Sequence, residues 1–229
     1  MSLEDYVDFS NAISDSVRIN SSGADECLEM LKPSLTWIAM YLRVSPSECD
    51  ILLKGCYGSA VESISLISCG LVRPAILSLR SHYELSLQYL YYKDHPVEWR
   101  NVKCFKSQPS LPGVIKKYLR ENFPDFEYRL KKLSEAKESI SQECYDILSG
   151  IAHGTALNSI STATKPKELI ENEATVRQSY GVFLNVGETL SDIHLACHES
   201  NWLSIPPPIQ QKLKERFGNK NPKEELRFS

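Results

Sequence analysis

From Leu3 to Glu199 apolar residues return every three or four positions, and no stretch bounded by turn signals alternates apolar with polar. A half-buried strand needs a period of two, whereas a helix needs a period near 3.6. The chain is therefore expected to be all-α. Leu3, Tyr6, Val7 and Ile13 carry the period through residues 3–20, and Leu28, Leu31, Leu35, Ile38 and Leu42 carry it through 24–44, where Pro33 is placed to break or kink the run. "SPSE" at 45–48 reads as a helix start, with Ser45 as cap, Pro46 at the first helical position and Glu48 returning the capping-box bond. The helix that follows carries "GCYGSA", whose small residues let a neighbouring backbone approach, and it ends at Gly70.

The next helix has Pro74 near its first turn and runs to Tyr92, stopping at "KDHP". Beyond "SQPSLPG" come two amphipathic segments at 111–122 and 125–140, then an apolar helix at 142–156. Residues 158–172, rich in Ser, Thr, Lys and Asn, read as a loop, and a long helix spans 173–199. The expected architecture is an antiparallel, all-α helical bundle with a helical insert around 97–135. One domain would cover 1–203 (core 46–157 plus 173–199). Residues 204–229 would form a Pro-rich hinge at "SIPPPIQ", a short charged helix and a frayed tail.

Composition narrows the function classes. Over 229 residues the net charge is -3, without the basic surplus that sequence-wide phosphate binding needs, so RNA binding is not supported by charge. The most basic stretches, "KKYLREN" and "YRLKKLSEAK", alternate cations with glutamates as a solvated helix face does. The N-terminus is acidic and has no signal-peptide layout, and "LTWIAMYL" is far short of the ~20 residues a membrane helix needs, so no membrane association is expected. The seven cysteines are odd in number and scattered, with no CxxC pair, which is the usage of free thiols in a cytoplasmic protein. No glycine loop matches a phosphate cradle, and "HLACH" (His194, Cys197, His198) lacks the glutamate of HExxH, so neither a cofactor nor a metal is expected.

Two helices carry polar residues where apolar ones are expected. On a wheel of roughly 100° per residue, Glu84 lies about 40° from Arg80, with Ile76, Tyr83 and Leu87 on one side and Leu77 and Tyr91 on the other. The pair thus falls inside an apolar face, where each charge costs several kcal/mol unless it finds partners. It is either a structural ion pair or one half of a polar site. On the helix 142–156, Asp146 and Ser149 lie within about 40° of His153, while Ile147, Leu148 and Ile151 point away. If this polar line faces Arg80 and Glu84, the five residues Arg80, Glu84, Asp146, Ser149 and His153 form a buried cluster with a titrating imidazole. If it faces water, His153 is an ordinary surface histidine at a helix end.

The element "LRSHYELSLQYLYYKDHP", followed some sixty residues later by "YDILSGIAHGT", resembles the DUF5677-type bacterial families, which belong with the HEPN-like helical domains. The match covers about residues 50–157. The resemblance implies a helical bundle, usually homodimeric, often encoded in toxin–antitoxin or antiphage defence loci beside a protein partner. Active HEPN ribonucleases carry the pattern RN-x-x-AHG. Here Ala152, His153 and Gly154 are kept, but Leu148 and Ser149 stand where the Arg-Asn pair would be. A leucine cannot stabilise phosphate charge. The resemblance thus implies a binding or interaction protein without the standard ribonuclease motif. The alternative is a divergent, metal-independent ribonuclease in which Arg80 takes the missing role and His153 moves the proton.

Overall fold

The computed structural model describes residues 2–44, 47–137, 144–153, 161–199 and 201–229. The fold is an all-α helical bundle, and no strand occurs among the described residues. The helices are α1 (Leu3–Val44), α2 (Asp50–Ser68), α3 (Val72–Tyr92), α4 (Pro96–Lys103), α5 (Pro112–Asn122), α6 (Phe126–Glu135), α7 (Cys144–His153), α8 (Glu173–Ala196), α9 (Pro207–Phe217) and α10 (Pro222–Glu225). None is long and apolar enough to cross a membrane, and none of the seven cysteines is in a disulfide.

Two local expectations are corrected, and a third is met. Pro33 does not end its helix: it lies inside α1, which is 42 residues long. An internal proline costs ~3 kcal/mol through its missing N–H, but Leu31, Ser34 and Trp37 around it are fully buried, and that packing outweighs the local penalty. The second helix begins at Asp50, not at the expected cap; Ser45 and Pro46 lie outside the described residues, and the Glu48 carboxylate pairs with Lys103 at 2.7 Å. Pro96 both stops α3 and opens α4, because proline suits the first helical turn as well as it forbids a continuing one.

The chain divides into two compact units: residues 1–32, 57–82 and 142–186 make the first, and 33–56, 83–141 and 187–229 the second. Within the first unit, Ser63 on α2 donates to the Ala75 carbonyl of α3 at 2.7 Å. Its most constrained turn is Gly70, with φ +75, between α2 and α3. There the Gly70 carbonyl accepts from the Glu171 N–H at 2.9 Å, and a Cβ would stand 2.7 Å from Ser16 Oγ and 2.8 Å from Ile170 Cγ2. Gly23 of α1 lies directly under the Tyr180 ring of α8, where a Cβ would stand 1.6 Å from the phenol oxygen. Both sites need glycine for closeness, and Gly70 also for its left-handed backbone.

The second unit is built around Trp37, Leu133, Leu195, Trp202, Ile209, Leu213, Phe217, Leu226 and Phe228. The last two residues correct the expectation of a frayed tail. Arg129, 1% exposed, donates from Nε to the Leu226 carbonyl at 3.0 Å and from Nη1 to the His198 carbonyl at 2.7 Å. Its guanidinium lies 4.0 Å over the Phe228 ring, and the ring meets Trp202 edge-on at 5.9 Å. The segment 204–229 thus contributes Ile205, Ile209, Leu213, Phe217, Leu226 and Phe228 to this unit's core.

Candidate functional site

Arg80, half-buried on α3, donates from Nη2 to the Tyr145 hydroxyl of α7 at 3.3 Å, and its guanidinium stands 5.6 Å over the same ring. The structure therefore brings Arg80 to the helix that carries the polar line, through Tyr145, a residue to which the helical wheel gives no prominence. Glu84 is half-buried and belongs to the second unit. Ile76, Tyr83, Leu87 and Tyr91 are buried as expected, and Arg80 and Glu84 sit at the margin of that face.

The interior cluster of five residues is not formed. Asp146 and His153 are exposed and Ser149 is half-buried. The reason lies in α7 itself: Cys144 and Leu148 are its buried positions, and with Leu148 turned inward the line through Asp146 and His153 must turn outward. The acid stands in the first turn and the histidine in the last, where the helix dipole favours a negative and a positive charge respectively.

No family model, curated protein or solved structure matches the chain.

Other chemistry-bearing groups have structural partners. His194 is fully buried, with Nε2 2.7 Å from Ser86 Oγ, while His198, one turn on, has Nε2 2.8 Å from Ser204 Oγ. The two rings of "HLACH" thus serve two different hydroxyls, and no group of three or more metal-ligating side chains occurs among the described residues. Burial pushes the Cys27 and Cys197 thiols up to about 12 and Cys56 higher still, which keeps them protonated and poor nucleophiles.

Proposed function

We propose that the chain is a HEPN-like helical binding and interaction protein, of a bacterial defence or toxin–antitoxin setting, without the standard HEPN ribonuclease motif. The observation that carries this reading is Leu148, 0% exposed on the inner side of α7. It occupies the position, relative to His153, from which an arginine would hold the scissile phosphate. A buried leucine supplies neither charge nor reach there. What α7 offers outward is an edge of hydrogen-bonding groups, Asp146, Ser149 and His153, suited to recognising a partner surface. The defence setting and the homodimer rest on the sequence resemblance.

The second reading is a divergent ribonuclease using Arg80 and His153. In its favour, Arg80 reaches α7 at Tyr145. Against it, eight residues separate Tyr145 from His153, an axial rise of about 12 Å, whereas a phosphate clamp and a proton donor must both lie within about 3 Å of one phosphodiester. Labelled RNA incubated with the wild type, His153→Ala and Arg80→Ala decides between them. All three should leave the RNA intact. Cleavage by the wild type that both variants lose, with unchanged thermal melts, would sink the binding reading.

A further inference from the structure

The first half of α1 turns an uncharged face to solvent. Uncharged residues recur at 3, 7, 10, 14, 17, 21, 24 and 28, in alternating steps of four and three. That repeat accepts the side chains of a second helix. All eight positions belong to the first unit, and all but Ala24 are exposed. The large members stand well clear of the fold: Leu3 is 82% exposed, Val7 51%, Val17 40% and Leu28 44%. Burial belongs to the opposite side, where Ser16, Asn20, Gly23 and Cys27 turn inward. No residue from Ser2 to Asp15 is buried. These turns hold helical form with little packing, although an isolated helix shorter than about 12–15 residues is marginal in water.

Charge decides what fits this face. Residues 1–32 hold seven carboxylates and two cations, while the rest of the chain holds 22 and 24. The negative charge of the protein is thus gathered on this half-helix. On a wheel of roughly 100° per residue, the uncharged seam fills an arc of about 100°. Glu4, Asp8, Asp15, Asp25, Glu26 and Glu29 lie along one side of it, within about the next 100°, and all six are exposed. Asp15 and Glu29 are matched by Arg18 and Lys32, each at 2.9 Å. The other four make no ion pair among the described residues. The α1 helix of a second copy, a nucleic acid and an anionic membrane would each be repelled by that edge. A cationic helix is drawn to it, with apolar residues on the seam and lysines or arginines against the carboxylates.

We propose that the outer face of α1, from Leu3 to Leu28, docks a cationic amphipathic helix of a partner protein. The seam supplies apolar contact and the carboxylate edge fixes which partners are admitted. Neither contribution suffices alone, so substitutions that act on each can be told apart. The surface is separate from the α7 edge and from any cleavage of RNA, so the failure of one reading leaves the other standing.

The test is fluorescence anisotropy of the full chain with three labelled helical peptides. They share one seam of leucine and alanine in heptads and carry lysine, glutamine or glutamate at the flanking positions. Saturable binding of the lysine peptide alone is expected. The double variant Val7→Glu, Val17→Glu separates docking from bulk attraction. Two added negative charges would tighten a purely electrostatic association, whereas docking loses its seam and weakens about tenfold or more. The triple variant Glu4→Gln, Asp8→Asn, Asp25→Asn keeps the seam and weakens binding through charge, as does added salt. All five positions are exposed, so both variants should melt with the wild type. Equal binding of the glutamine or glutamate peptide, tighter or unchanged binding in the Val7 and Val17 variant, or no saturation at high micromolar peptide would each overturn the proposal. Sedimentation of the chain alone gives the last outcome: a dimer that the same double variant dissociates would assign the seam to a second copy instead.

Discussion

His194 and His198 stand one turn apart on the same stretch of chain, and their surroundings show how far a residue's chemistry depends on its packing. The first is sealed between Trp37 and Tyr41, at ring separations of 6.1 and 5.4 Å, with Ser86 on its Nε2. The second is half-buried, tilted against Trp37 at 5.2 Å, and its imidazole is held below the ordinary histidine range. Burial is the main cause, the nearby cations Arg129 and Lys93 add to it, and Glu199 opposes it. The sign of the consequence follows from linkage. A neutral ring is favoured in the fold, whereas the unfolded chain takes up a proton at about pH 6.5. Stability from this residue is therefore present above that pH and lost as pH falls through it. Urea unfolding at pH 7.5 and 5.5 should show a larger acid loss in the wild type than in His198→Gln. Equal losses would mean that the ring is solvated in the folded chain.

At the scale of elements, the turn between α2 and α3 makes the sharpest demand on a single residue. Gly70→Ala places a side chain in left-handed backbone, which costs roughly 1–2 kcal/mol, and sets its Cβ against Ser16 and Ile170. Chemical denaturation should show a loss of at least that size, and an unchanged midpoint would mean that the turn relaxes away from its left-handed form. Gly70 was legible in the sequence because a helix end followed by glycine is a local signal. The helices themselves were legible for the same reason: Ile76, Tyr83 and Leu87 repeat on one face, and that face is buried. The fate of Pro33 was not legible, since its local penalty is fixed by the backbone while the packing of Leu31 and Trp37 that overrides it comes from residues far away in sequence. Nor was the facing of α7. A wheel gives the angle between His153 and Leu148, but which of the two turns inward depends on partners that the wheel does not contain. The signal pointing the right way was Leu148 itself, because an apolar group has more to gain from burial than an imidazole.

At the scale of the whole chain, the second unit is closed by residues near both ends of the sequence. Trp37 and Phe228 belong to one apolar cluster, so this core gains its full burial only when contacts of very long sequence separation form. The terminal residues gave no periodic signal because two apolar groups, Leu226 and Phe228, are too few to define one. In the fold they hold the Arg129 side chain from two sides, Leu226 with its carbonyl and Phe228 with its ring. All three tryptophans, Trp37, Trp99 and Trp202, lie in the second unit and are buried, so tryptophan fluorescence, excited selectively, reports on that unit alone. Phe228→Ala removes a buried ring from Trp202 and bares one face of a guanidinium that is otherwise sealed. Truncations of this kind cost about 3–5 kcal/mol, and the fluorescence-detected unfolding midpoint should fall accordingly, with the tryptophan emission of the folded protein shifted to the red as water reaches Trp202. An unaltered emission maximum and midpoint would mean that the last residues lie on the unit without closing it, and that Arg129 is held in place by the backbone carbonyls alone.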